Sequence, residues 1–320
     1  MWKSHAPSNI ALIKYMGKIK TAGNRPTNPS LSYTLSHFIT EVQIEKASKD
    51  SWEPLEKKGF YVRLSEHGRE RFLQFFSDLK KQFKIKGNYV IRSANNFPSD
   101  CGLASSASSF AALTKAAYAV AQDEGDVKKM AAKDLSKIAR TGSGSSCRSF
   151  FAPWALWQDE GAEPTELPFG DMLHQVAVIE ESEKLVSSSE AHKRVNSSLQ
   201  FEGRPARAEV RLKELMQALQ KEDWKAAFEI TWAEFWDMHA LFESSQPSFG
   251  YMAAGSMEVL NMARKMWMAE GDGPLVTMDA GPNVHLLYRK DQKDLANKFR
   301  EQIEETDSST RVIGNDTENL

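Results

Sequence analysis

Hydrophobic and polar positions alternate with a period of two early in the chain and recur every three to four residues later. Within Phe38–Lys46, Phe38, Thr40, Val42 and Ile44 alternate with Glu41, Gln43 and Glu45, the pattern of a half-buried strand. Phe60, Val62 and Leu64 alternate with Tyr61, Arg63 and Ser65 and predict a second strand; the charged stretch Lys46–Gly59, which holds Pro54, reads as a loop. Arg69–Lys84 places Phe72, Phe75, Phe76 and Leu79 at helical spacing, and Asn88–Ser93 predicts a short strand. An Ala-rich helix follows Asn95–Ser109, with Phe110, Leu113, Ala117 and Val120 on one face; Ala is the best helix former. The later half is richer in helix. Leu212, Leu215, Met216 and Leu219 form one stripe, and Phe228, Trp232, Phe235, Trp236 and His239 another. Gln246-Pro247 interrupts the pattern, and a third helix is predicted over about Phe249–Glu270. Leu275–Asp279 and Val284–Tyr288 read as strands around the turn Ala280–Asn283, then a helix over Lys290–Glu305 and a polar tail after Thr306 that is expected to fray.

Composition narrows the class. With 320 residues, 41% hydrophobic and 26% charged, the chain can bury a core as one large or two modest domains, which excludes general disorder. Lys+Arg 41 against Asp+Glu 43 gives a net charge of -2, which argues against a dedicated nucleic-acid or anionic-membrane binder but leaves room for a local basic pocket. Cys101 and Cys147 are too few for a disulfide scaffold, and the sequence holds no Cys-x-x-Cys or His-x-x-x-His zinc motif. The apolar run Ile10–Ile13 is too short for a signal segment, and no stretch approaches the roughly 20 residues of a membrane span. The expectation is a soluble cytoplasmic protein with neither nucleic acid nor membrane as partner.

Two Gly/Ser segments are candidates for chemistry. Cys101–Ser108 opens directly into the Ala-rich helix, where unpaired backbone N–H groups and the helix dipole favour phosphate; Gly102 permits close approach, and Ser105, Ser106 and Ser108 offer hydroxyls. A plain serine cap would look the same. Neither Gly-x-x-x-x-Gly-Lys-Ser/Thr nor Gly-x-Gly-x-x-Gly is present, so Walker-type and Rossmann-type nucleotide sites lose weight. The second segment, Thr141–Ser149, carries Ser143, Ser145 and Arg148, and an Arg can grip a carboxylate or phosphate with two prongs or simply sit in a surface turn. Lys14 and Lys18 flank Tyr15 in an apolar stretch and could meet a polyanion, or be exposed strand-end lysines. Asp279 ends an apolar strand before Ala-Gly-Pro-Asn, where an acid can be a general base or a turn former.

Taken in order, Ser8–Lys18 (SNIALIKYMGK), Asn28–Ser36 (NPSLSYTLS), Asn95–Ser108 (NNFPSDCGLASSAS), Gly142–Ser149 (GSGSSCRS) and Met278–Asn283 (MDAGPN), with a weaker match in His239–Met252, resemble the GHMP kinase superfamily and, within it, the mevalonate diphosphate decarboxylases. The resemblance spans nearly the whole chain. It implies an α+β, GHMP kinase-like two-lobed fold. The N-terminal part, 1–170, would be β-rich, bind ATP, resemble the second domain of ribosomal protein S5 and hold a left-handed βαβ crossover. The C-terminal part, 171–320, would be helix-rich and ferredoxin-like. It implies ATP and Mg2+ as cofactors, mevalonate diphosphate as substrate and a homodimer. ATP would phosphorylate the 3-hydroxyl, and loss of that phosphate with carbon dioxide would give isopentenyl diphosphate and ADP. Asp279, Arg148 and Lys18 would be catalytic: Asp279 meets the hydroxyl proton, and Arg148 holds the substrate carboxylate. Tyr15, Lys18, Ser143, Ser145, Arg148 and Ser198 would bind substrate, with Tyr15 and Lys18 at the diphosphate end. Asn95, Pro98, Gly102, Leu103, Ala104, Ser105, Ser106 and Ser108 would form the nucleotide side, with Ser106 on the metal.

Three positions depart from the pattern. Met16 replaces a usual Trp, Asp100 stands where a small neutral residue is usual, and Ser187–Ser198 lacks the family's Gly-Met. The last of these bears on substrate identity, so a decarboxylase of mevalonate 5-phosphate, or a kinase that stops at phosphorylation, stands as the alternative. A ligand-sensing member without catalysis is a third reading, and the survival of Asp279, Arg148 and Lys18 weighs against it.

Overall fold

The computed structural model describes residues 1–19, 23–61, 64–98, 105–124, 127–180 and 185–315. The first half runs β1 (Trp2–Ile13), β2 (Ser30–Ala47), β3 (Ser51–Pro54), α1 (Glu66–Phe83), β4 (Asn88–Asn95), α2 (Ser105–Glu124), α3 (Ala132–Gly142), β5 (Trp154–Gln158) and β6 (Gly161–Pro164). A single 3-10 helix, Gly144–Phe150, joins α3 to β5. These strands form one six-stranded sheet built on β2. Along one edge β2 pairs antiparallel with β1, Tyr33 opposite Ile10; along the other it takes β5 near its start and β4 near its end. β3 is parallel to β4, with α1 between them in the chain.

The second half runs β7 (Leu173–Val178), α4 (Ser188–Arg194), α5 (Arg204–Gln220), α6 (Trp224–Glu243), α7 (Ala254–Glu270), β8 (Leu275–Thr277), β9 (Val284–Tyr288), α8 (Lys293–Thr306) and β10 (Arg311–Gly314). Its four strands make an antiparallel sheet in the order β10-β7-β9-β8.

Three apolar clusters hold these layers. Phe72, Phe75, Phe76 and Leu79 of α1 pack with Phe110, Leu113, Ala117 and Val120 of α2 over the first sheet. Phe235 of α6, Val259, Leu260 and Ala263 of α7 and Phe299 of α8 cover the second. The third cluster joins the two halves: Ile10, Leu12 and Leu35 meet Val176 of β7 and Leu212, Leu215 and Leu219 of α5. At the end of β1 this seam is pinned by a hydrogen bond from Thr277 Oγ1 to the carbonyl of Ala11, 3.2 Å.

Several expectations are corrected. Of the segment Phe60–Leu64, Tyr61 makes an isolated bridge to Asn95, and residues 62–63 lie outside the described residues. The supposed loop Lys46–Gly59 contains β3, whose parallel partner is remote in sequence. The third helix of the second half begins at Ala254, not Phe249, and the last begins at Lys293 after a 3-10 turn over Lys290–Gln292. The polar tail supplies β10, because Val312 finds a place in the second core.

Candidate active site

The cleft between the two halves, about 310 Å³, is lined by the segment after β1, the α3–β5 connection, the start of α2, residues 187–192 and the β8–β9 turn. Asp279 sits in that turn. The turn is anchored from both sides: Asn283 Oδ1 accepts from the amides of Ile179 and Glu180, and Ser256 donates to the carbonyl of Pro282. His239 Nε2 donates to the Asp279 carbonyl at 3.2 Å. Burial and the neighbouring Lys14 pull the His239 imidazole down to about 3, so it is a neutral donor at physiological pH.

Lys14 Nζ reaches Asp279 Oδ1 at 2.6 Å; the lysine side chain is 2% exposed and the aspartate 25%. Burial alone would push the Asp279 carboxyl up, but Lys14, His285 and Arg148 outweigh it and hold it below the usual carboxylate range. Lys14 is aimed by its own backbone. Its amide donates to Glu234 Oε1 at 2.8 Å, and its carbonyl accepts from Asn28 Nδ2 at 2.9 Å and Arg204 Nη2 at 3.0 Å. Arg204 and Glu234 are themselves fully buried and paired, with Asp237 and Arg211 completing the network. A buried ion pair adds little net stability; its use here is to fix where Lys14 points.

Arg148 is 4% exposed. Its Nε donates to Asn9 Oδ1 and its Nη1 to Ser30 Oγ, both at 3.0 Å, and Asn9 is held in turn by Ser149 Oγ at 2.8 Å. Two strands of the first sheet therefore fix the guanidinium beside the cleft. Ser143 Oγ lies 3.4 Å from both Ser145 Oγ and Ser106 Oγ, so the two Gly/Ser segments meet. Gly144 lets this happen: a Cβ there would come within 2.8 Å of Tyr15 and 3.1 Å of Trp157. Tyr15 packs between Trp157 and His192, with ring centroids 4.6 and 4.3 Å away. Lys18 Nζ donates to Asn24 Oδ1 at 2.8 Å; burial, Arg71 and Lys193 pull its ammonium down to about 8. Met16, in place of the usual Trp, is buried among Ala191, Val195, Met238, Leu241 and Phe242.

At the start of α2, Ser105 and Ser106 line the cleft and also a neighbouring cavity of about 90 Å³, whose wall includes Trp52, Phe72, Asn95 and Phe110. Pro98 is buried just ahead of it. Gly102, Leu103 and Ala104, like Asp100 and Cys101, lie outside the described residues. Ser108 is turned inward: it is fully buried and shares a 2.6 Å hydrogen bond with Thr40, which donates to Asn95 Oδ1. The structure does not bring Ser198 to the cleft. It bonds Ser244 Oγ at 2.8 Å, while Ser187, Ser188 and Ser189 line the cavity in its stead. Among the described residues no three His, Cys, Asp or Glu side chains converge as a metal cage. Among the described residues no helix is long and apolar enough to cross a membrane.

Reasoning from sequence gave no task to Asn9, Ser30, His192, His239, Arg204 or Glu234, although Asn9, Ser30 and His239 lie within the matched segments. Lys14 was singled out as a cation inside an apolar run.

A strand-rich half that delivers a serine-lined helix start to a Lys–Asp–Arg cleft at its seam with a helix-rich half is the build of a GHMP-kinase-type enzyme. Residues 6–166 match the model of the diphosphomevalonate decarboxylase-like N-terminal domain, and residues 175–319 that of the mevalonate 5-diphosphate decarboxylase C-terminal domain. A crystal structure of a mevalonate diphosphate decarboxylase from Legionella pneumophila is similar, with TM-score 0.89 and 45% identity over 98% of this chain and 99% of that one. The structure of MDDEF in complex with MVAPP, AMPPCP and magnesium is similar, with TM-score 0.85 and 29% identity over 99% of each chain. The diphosphomevalonate decarboxylase of Saccharomyces cerevisiae is 30% identical over 311 residues, 88% of this chain and 76% of that protein. The chain belongs to the diphosphomevalonate decarboxylase family.

Proposed function

We propose that this protein catalyses the ATP-dependent decarboxylation of mevalonate 5-diphosphate to isopentenyl diphosphate, ADP, phosphate and carbon dioxide. The observation that carries the reading is the convergence of Asp279, Lys14 and Arg148 in one cleft, beside the serines at the start of α2. A tertiary hydroxyl is a poor leaving group, and phosphorylation makes it a good one. Asp279, ionised through Lys14, accepts the hydrogen bond of the 3-hydroxyl and takes its proton as the γ-phosphoryl group transfers to oxygen. The C3–O bond then breaks, phosphate departs, and the electrons of the C1–C2 bond become the C2–C3 double bond as carbon dioxide leaves. Arg148 grips the carboxylate, and Ser143 and Ser145 orient the substrate. Tyr15 and Lys18 receive its diphosphate. Ser105 and Ser106 face the nucleotide phosphates, and magnesium neutralises charge on them.

The wider reading includes two lobes, 1–170 and 171–320, a homodimer and a cytoplasmic location. Sedimentation velocity and fractionation address the last two. The reading of the reaction is tested by offering magnesium-ATP with mevalonate, its 5-phosphate or its 5-diphosphate. Carbon dioxide from the diphosphate alone supports it, coupled release from the monophosphate moves the substrate, and ADP without carbon dioxide makes the protein a kinase.

A further inference from the structure

His192 is a cleft residue to which nothing above gives a task. It lies in α4, is 8% exposed and lines the cavity beside Tyr15, whose ring it faces at 4.3 Å. Its Nδ1 accepts the backbone N–H of Gly17 at 3.0 Å. A ring nitrogen that accepts carries no proton, so the neutral ring bears its hydrogen on Nε2. Burial and the nearby Lys18 pull this imidazole well below its ordinary value and keep it neutral. Nε2 has no acceptor among the described residues, and it is not sealed away from solvent. A donor of fixed tautomer is thus left open on a cleft wall whose neighbours are an ammonium and a tyrosine.

We infer that His192 is a substrate-binding and specificity-determining residue of this chain, donating its Nε2–H to an oxyanion of the diphosphate that Tyr15 and Lys18 receive. The inference rests on the proposed function for the identity of that diphosphate. The site has a plain chemical logic. Lys18 supplies charge without direction, and the imidazole supplies direction without charge, fixed by the Gly17 amide. Gly17 adopts φ +94°, so its N–H is presented to His192 by a backbone conformation that other residues resist.

Two variants separate this role from a packing role. His192→Asn keeps an acceptor for the Gly17 N–H and removes the donor at the Nε2 position. His192→Gln keeps a donor at that position and gives up the Gly17 bond. A hydrogen bond to a charged group corresponds to about a tenfold effect or more. His192→Asn is therefore expected to raise KM for mevalonate 5-diphosphate about tenfold, with KM for ATP unmoved and kcat changed far less. His192→Gln should stay within about threefold of wild type. The reverse order, or equal KM in His192→Asn and wild type, overturns the inference. A measurement without turnover guards against misfolded variants: 15N imidazole spectra of the wild-type protein titrated with inorganic pyrophosphate. The free protein should show the Nε2–H tautomer, and pyrophosphate should shift the His192 Nε2 signal; an unshifted signal at saturation overturns the inference. Pyrophosphate engaging His192 in a protein that releases no carbon dioxide would sink the decarboxylase reading and leave this one. Decarboxylation with an unaltered KM in His192→Asn would do the opposite.

Discussion

Replacing Lys14 by Met should move the pH dependence of the reaction toward neutrality. Lys14 Nζ is 2.6 Å from Asp279 Oδ1, and it heads the influences that hold the Asp279 carboxyl down against burial. An opposite charge at such range lowers a carboxyl by about 1–3 pH units, so its loss should raise Asp279 by a like amount, with Arg148 and His285 still opposing burial. The sign follows directly. Asp279 must be ionised to accept the hydroxyl proton, so activity falls as pH drops through its value; raising that value makes activity fail at higher pH. In Lys14→Met the acid limb of kcat/KM should therefore shift upward by about 1–3 pH units, and kcat at the plateau should drop as well. Stability is the necessary control. Stranding one member of a sealed ion pair costs about 3–5 kcal/mol, and the 25% exposure of Asp279 should place this variant at or below the low end in urea unfolding. A folded variant whose acid limb superimposes on the wild-type limb would refute the role given to Lys14.

Other outcomes follow from the same geometry. Asp279→Asn should lower turnover by about 10²–10⁴-fold while binding of magnesium-ATP stays near wild type; lost nucleotide binding, or near-normal turnover, speaks against the role. Lys18 is held at about 8, so kcat/KM for the diphosphate substrate should decline as pH rises through that value. Lys18→Arg, charged throughout, should abolish this basic limb, and a flat wild-type profile from about pH 7 to 9 would contradict it. In Gly17→Ala the new Cβ would fall 2.5 Å from Phe201 Cζ and 2.8 Å from Thr27 Oγ1 at φ +94°, so urea unfolding should show a loss of about 1–3 kcal/mol or more.

What could be read from the chain depended on whether a residue's task was local. Phe38–Ile44 shows its alternation because one face of β2 is buried there and the other is partly exposed, whereas along residues 30–35 the polar members of the alternation, Ser30, Ser32 and Thr34, are buried as well. Ser51–Pro54 reads as a loop because its stabilising partner is β4, across all of α1. Asp279, Arg148, Tyr15 and Lys18 were found because they sit in compact motifs, and the structure places all four on one cleft. The residues that aim them were hidden. Arg204 and Glu234 are 30 positions apart, and Lys14 and Asp279 are 265 apart. In sequence, Arg204, Arg207 and Arg211 look like the solvated face of a helix; only the fold shows that Arg204 is sealed beneath the Lys14 carbonyl. Ser198 was read from its motif position as a substrate contact; in the fold Ser187–Ser189, at the start of α4, line the cleft and Ser198 is bonded to Ser244.

The most direct test of the central claim is stoichiometric. Mevalonate 5-diphosphate labelled at its carboxyl carbon is mixed with limiting magnesium-ATP, and labelled carbon dioxide, ADP and phosphate are counted in the same samples. The account requires one of each per turnover, with isopentenyl diphosphate as the organic product. ADP formed in step with a phosphorylated product that retains the label would contradict it, because the Asp279–Lys14 and Arg148 arrangement would then serve transfer alone.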